Sequence, residues 1–254
     1  MKKTFILAAL ILAVALPAIS QSHARAGALS FASDFQTLPV VANTKGIGGV
    51  TFITYVSLYN PTTTAFSVTA ALYDAAGTKR EASIPLAAGE LKTYTNFLDT
   101  VFNGFSGGGA VTFRSPDSAG GQRNNRFIVD AEVRTGGARF GTSVPVLEFA
   151  GSSSRSFSAG ITSDSSSRVN IGCFNQSDAA NAVHATVLDN TGTQTISATD
   201  LNLAPNGWLQ TNVTGVVSNG IVRFDPSDSA VCYAVVVDNA TNDGRVISAA
   251  EYRP

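Results

Sequence analysis

Few residues in this chain have the type and spacing that chemistry requires. Gly104-Phe105-Ser106-Gly107-Gly108 matches G-x-S-x-G. In a hydrolase this motif lifts a serine nucleophile onto a sharp strand-to-helix turn. Such a serine needs a base, most often histidine. The chain offers only His23 and His184. His23 falls in a segment expected to be cleaved off, so no histidine precedes the serine, as a protease-type serine loop requires. No strand-turn-helix context surrounds the motif either. Residues 104–109 are therefore read as a glycine loop, and no catalytic residue is assigned. His184 lacks companions at zinc-ligand spacing and is read as a surface or cross-strand residue.

Two oxygen-rich stretches remain, Asp225-Pro226-Ser227-Asp228 and Asp238-Asn239 followed by Asn242-Asp243-Gly244. Hard oxygen donors on loops suit Ca²⁺. Neither stretch has the spaced EF-hand pattern, and Asp, Asn and Gly are also what tight turns use. They are read as turns, with no metal and no cofactor. A lysine–asparagine crosslink needs a buried lysine beside an acid. After residue 26 the only lysines are Lys45, Lys79 and Lys92, none at a core position.

The aromatic residues Tyr55, Tyr59, Tyr73 and Tyr94 could stack on sugars. An internal repeat tests this. Residues 56–79 (VSLYNPTTTAFSVTAALYDAAGTK) align without a gap on 171–194 (IGCFNQSDAANAVHATVLDNTGTQ). Tyr59 meets Phe174 and Tyr73 meets Leu188, so those positions ask for bulk rather than a phenol. Tyr55 meets Asn170, and Trp208 meets Glu90. Tyr55 and Trp208 are therefore the candidate ligand-binding aromatics, with core or inter-module packing as the competing account of Trp208.

The same alignment places Cys173 opposite Leu58, and Cys232 opposite Phe127 or Ile128. A cysteine pair where the other copy has an apolar pair suggests two sites facing one core. A Cys173–Cys232 disulfide is expected. Closing a loop of that length stabilises a fold by about 4 kcal/mol on the chain-entropy argument.

The elements that must hold these residues are strands. Each copy of the repeat is a strand, a polar turn opened by Asn60 or Asn175, an alternating strand, and a D-x-x-G turn. Phe66, Val68, Ala70 and Leu72 share one face of a half-buried strand. Further strands are expected at 38–43, 50–60, 79–85, 90–94, 110–114, 126–134 and 140–147. A single helical turn at 96–102 is capped by Asn96. The second copy has strands at 157–162, 168–175, 182–189, 208–212, 221–225, 230–238 and 245–250. The fold expected is all-β: two tandem immunoglobulin-like antiparallel β-sandwich modules, 27–150 and 151–254. Each is large enough for its own core.

Residues 1–26 read as a signal peptide, with Lys2 and Lys3 ahead of the apolar run 5–18 and Ala24-Arg25-Ala26 as the cleavage site. The run is shorter than the ~20 residues of a membrane span. The expected location is therefore secreted or periplasmic, with no membrane association after cleavage. The full chain carries a net charge of −1. Removing Lys2, Lys3 and Arg25 makes the remainder more acidic. Without a basic cluster there is no footprint for nucleic acid or an anionic membrane surface.

The motifs LPVVAN, VSLYNPTTTAFSVTAALYDAAG, GWLQTNV and YAVVVDNATNDG together resemble a family of tandem β-sandwich repeats in uncharacterised secreted bacterial proteins. The resemblance covers almost all of the chain after residue 26. It implies a sandwich fold and export, and carries no chemistry. The expected function is a non-enzymatic structural or interaction protein, adhesion-like, with an unknown protein or glycan partner at the cell envelope. The alternative is a carbohydrate-binding module using Tyr55 and Trp208.

Overall fold

Strand-forming, alternating sequence becomes strand almost throughout. The computed structural model describes residues 32–46, 49–116, 125–136, 138–139, 141–148 and 151–252. The expected leader, 1–26, lies outside them, as does most of the polar loop 115–125. The first half comprises β1 (Phe35–Lys45), β2 (Thr51–Tyr59), β3 (Phe66–Tyr73), β4 (Lys79–Leu86), β5 (Leu91–Tyr94), α1 (Phe97–Val101), β6 (Gly107–Arg114), β7 (Ile128–Thr135) and β8 (Thr142–Ser143). The second comprises β9 (Ser156–Ser163), β10 (Ser167–Asn175), β11 (Asn181–Leu188), β12 (Thr195–Leu203), β13 (Trp208–Asn212), β14 (Val217–Pro226), β15 (Ala230–Asp238), β16 (Gly244–Ser248) and β17 (Ala250–Glu251).

All pairings are antiparallel. In the first half the order is β4-β3-β6-β1, continued through β1–β2 pairing into β2-β7-β8, with β5 on the other edge of β2. In the second half it is β12-β11-β14-β9-β17 and β13-β10-β15-β16. One order of pairings therefore occurs twice: β4-β3-β6-β1 corresponds to β12-β11-β14-β9, and β5-β2-β7-β8 to β13-β10-β15-β16. Each half adopts sandwich architecture: two antiparallel sheets in the second half, and one continuous antiparallel sheet passing through the β1–β2 pairing in the first, enclose inward-facing apolar residues. Val56, Leu58, Val68, Leu72, Val111 and Phe113 are wholly buried in the first core. Ile161, Ile171, Val183, Ala185, Val222 and Phe224 fill the second.

The halves differ at their first hairpin. β1 is longer than the expected 38–43, and Pro39 lies inside it rather than at its start. The register of β1 against β6 shifts between Leu38 and Val41, a bulge where a residue without an N–H is tolerated. Thr54, fully buried, accepts from the Ala42 N–H at 2.7 Å and donates to the Ala42 carbonyl at 3.0 Å. At Asn43, which pairs with both Gly107 and Ile53, β1 passes from β6 to β2, and Thr44 and Lys45 pair with β2.

The repeated turns share their chemistry. Asp74 accepts from the N–H groups of Ala76 and Thr78, and Gly77 turns the chain with φ 77°. Asp189 accepts from Thr193 and Gln194, and Gly192 has φ 73°. Asn60 and Asn175 are both fully buried. Asn60 Nδ2 donates to the carbonyls of Thr64 and Ala87, while Oδ1 accepts from Thr62 N–H. Asn175 does the same with Ala179, Ala204 and Ser177. Each asparagine thus ties the loop after its own strand to the loop before the sheet-edge strand. The helical turn α1 is present, with Asn96 accepting from the Asp99 N–H.

Candidate functional site

The residues singled out for chemistry are spread over the molecule. Ser106 is exposed, and its Oγ donates to the Asn43 carbonyl at 3.3 Å. The expected glycine loop ends earlier than anticipated, because β6 begins at Gly107 and pairs Gly107, Gly108 and Gly109 with Asn43, Ala42 and Val41. His184 lies in the other half, on β11, where its Nδ1 is 2.6 Å from Asp200 of the adjacent strand β12. This is the cross-strand role expected of it.

The acidic stretches are committed to their own surroundings. Asp225 is ion-paired to Arg155 and Arg223. Asp228 accepts from the Ser177 hydroxyl, which is the main reason its carboxyl titrates below the usual range. Asp238 accepts from the N–H groups of Thr241 and Ala240, and these hold its carboxyl low as well. Among the described residues no three His, Cys, Asp or Glu side chains are grouped to hold a metal ion.

Cys173 and Cys232 form a disulfide. They are directly opposite on β10 and β15, in one sheet, and belong to the second core. The corresponding pair in the first half is Leu58 opposite Val129, also buried. The counterpart of Cys232 is therefore Val129, one or two residues on from the Ile128 or Phe127 expected from the sequence, where a gap left the alignment open.

The aromatic candidates have different fates. Tyr55 is half-buried, with the Arg134 guanidinium 3.7 Å from its ring centre. Trp208 is not an exposed platform. Its indole Nε1 donates to the Pro39 carbonyl at 3.1 Å, and its backbone N–H donates to the Asp74 carbonyl at 3.1 Å, both in the first half. Its ring fills the space beside Gly108, where a Cβ would come within 2.7 Å of it. The glycines that imitate a nucleophile elbow thus make room for an indole. Tyr73 packs on Phe174 with ring centres 5.1 Å apart, again across the two halves. Tyr59, aligned with Phe174, stays 37% exposed, with no aromatic partner among the described residues like the one Phe174 finds in Tyr73.

These contacts belong to one surface. The outer face of the sheet β13-β10-β15-β16 presents Trp208, Phe174, Tyr233, Val235 and Val246 toward the first half. Tyr233 is fully buried and belongs to the core cluster of the first half, not of its own. Its ring lies beside Gly172, whose missing side chain leaves room for the phenol, and its hydroxyl donates to Gln210 Oε1 at 3.0 Å. Burial pushes its pKa far above the usual phenol value. The signal for this surface was in the sequence. Residues 230–237 (AVCYAVVV) do not alternate, and an unbroken apolar strand is one buried on both faces. Its counterpart β7 alternates, with Asp130, Glu132 and Arg134 where β15 has Tyr233, Val235 and Val237.

The docking of the halves leaves a cleft of about 310 Å³ at one end of the interface. The first half contributes Val40, Lys45, Phe52 and Val133; the second contributes Arg168, Asn170, Gln210 and Val235. Arg168 is held by the side-chain carbonyls of Asn239 and Asn242. Sites between packed units are a common location for ligands, and this cleft is the candidate binding site of the protein.

Among the described residues, no helix is long and apolar enough to cross a membrane. No family model matches the chain, and no curated protein matches it.

Proposed function

We propose that the protein is a non-enzymatic interaction protein that works outside the cytoplasm, its two sandwich modules docked as one unit that presents loops and sheet edges to a partner at the cell envelope. One observation carries this reading: the side chains that could do chemistry are spent on the fold. Ser106 bonds a strand carbonyl, His184 pairs across a ladder, and the Asp225, Asp228 and Asp238 carboxylates are bound to arginines or turns. The Cys173–Cys232 disulfide supports an oxidising compartment, in line with the leader read at 1–26. The two-fold occurrence of one pairing order supports the resemblance to tandem sandwich repeats.

The test is a pull-down from the envelope fraction with the exported protein as bait. Saturable capture of one envelope component, lost on loop replacement at 238–244, is the expected result. Capture that equals that of an unrelated sandwich protein would remove the reading. Carbohydrate binding on Tyr55 and Trp208 is the weaker alternative, since Trp208 is occupied by the first half and Tyr55 by Arg134. Glycan-array binding abolished by Tyr55→Ala would restore it.

A further inference from the structure

We propose that the cleft between the two halves binds a small amphipathic carboxylate that carries a hydroxyl group about one strand repeat away from its anionic end. Three observations combine. The apolar lining comes from Val40, Phe52, Val133, Val235, Val237 and Val246, so the body of the ligand is apolar. The charged lining residues are Lys45 and Arg168, and among the described residues no Asp or Glu lines the cleft, so the ligand carries negative charge. Arg168 is already oriented by Asn239 and Asn242, which leaves part of its guanidinium fork for a carboxylate.

The unpaired amide of Asn170 adds a second group. Asn170 lines the cleft, and its Oδ1 is enclosed there without a hydrogen-bond partner, an arrangement that costs free energy until the amide turns toward a partner in the cleft. A hydroxyl both donates and accepts, so it satisfies the amide end in either orientation. Arg168 and Asn170 are two residues apart on β10 and therefore face the same side, roughly 7 Å apart along the strand. That spacing sets the distance between carboxylate and hydroxyl. The volume, at the low end for small-molecule sites, limits the ligand to a compact acid and excludes an oligosaccharide.

This inference is independent of the envelope reading, because a soluble ligand can fill the cleft whatever the outer surface touches. It is tested by calorimetric titration of the intact protein with 4-hydroxyphenylacetate, phenylacetate and tyramine. The hydroxylated acid is expected to bind with Kd below about 1 mM, phenylacetate about tenfold more weakly, and tyramine with no measurable heat. Lys45→Gln, at an exposed position, is expected to weaken the acid about tenfold and leave thermal unfolding unchanged. Asn170→Leu should erase the preference for the hydroxylated acid. Arg168→Lys, which keeps the charge but not the fork, guards against a folding artefact and should weaken the acid less than Arg168→Gln. Absence of carboxylate binding, equal binding of tyramine, or binding indifferent to Lys45→Gln would each overturn the proposal.

Discussion

The six-membered ring of Trp208 occupies the place where a side chain on Gly108 would stand. This one contact joins a candidate ligand-binding aromatic to a glycine loop that matches the nucleophile-elbow pattern, and gives both a structural purpose. Trp208→Ala should therefore destabilise the whole protein, by about 3 kcal/mol, because it opens a cavity between halves. Gly108→Val should do comparable damage by overpacking from the other side. Denaturant unfolding measures both. If either variant unfolds like the parent, the halves do not depend on this contact.

The disulfide is the next term. Cys173 and Cys232 are 59 residues apart in sequence, and the first half manages the same two positions with Leu58 and Val129. Replacing the pair by Cys173→Leu and Cys232→Val should keep the core filled while losing the crosslink. The expected cost is about 4 kcal/mol, with the native fold retained. Mass spectrometry of the parent protein should find no alkylatable thiol without reductant. Two free thiols would contradict the assignment.

Fold class was legible because period-two alternation and turn chemistry are local. The strands at 66–73 and 181–188, the Asn96 cap and the D-x-x-G turns follow from residues within a few positions of each other. Contacts between halves are not local, and there the sequence reading slipped. Tyr59 and Phe174 align, yet one is exposed and the other buried, because only the second has a partner in Tyr73. β12 was missed: TISATDLNL is an edge strand with few inward apolar residues, and polarity masked its alternation. The docking face could have been found, since AVCYAVVV breaks the alternation that its counterpart IVDAEVRT keeps. The cleft could not, because no spacing in the sequence brings Lys45 near Arg168.

Asn60 and Asn175 should be equally hard to replace. Each donates to two backbone carbonyls and accepts from a backbone N–H while fully buried. Truncation to alanine strands those groups at about 2 kcal/mol per site. Substitution by aspartate should be no milder, as a carboxylate cannot donate to the carbonyls. Parallel losses at the two sites are expected in thermal unfolding. A large loss at one site and none at the other would show that the aligned asparagines do not share a role.

Acid should weaken the protein through its turns. The carboxyls of Asp164, Asp189 and Asp228 are held below their ordinary value of 3.8 chiefly by the hydroxyls of Ser166, Thr191 and Ser177, and that of Asp238 by the Thr241 N–H. A carboxyl whose folded pKa is depressed adds stability above its unfolded value and loses it as the pH falls through the folded one. Asp130 has the opposite sign. Although its side chain is exposed, partial desolvation and then the neighbouring Glu132 raise its pKa, so its contribution, reduced by that exposure, is lost as the pH rises above 3.8 through the raised value. Asp130→Asn should therefore raise the thermal midpoint at neutral pH and leave it unchanged in strong acid. Asp238→Asn should flatten the decline below 3.8. Thermal unfolding followed from pH 7 downward separates the two. An acid limb untouched by Asp238→Asn, or a neutral midpoint lowered by Asp130→Asn, would mean that these carboxyls do not govern the response.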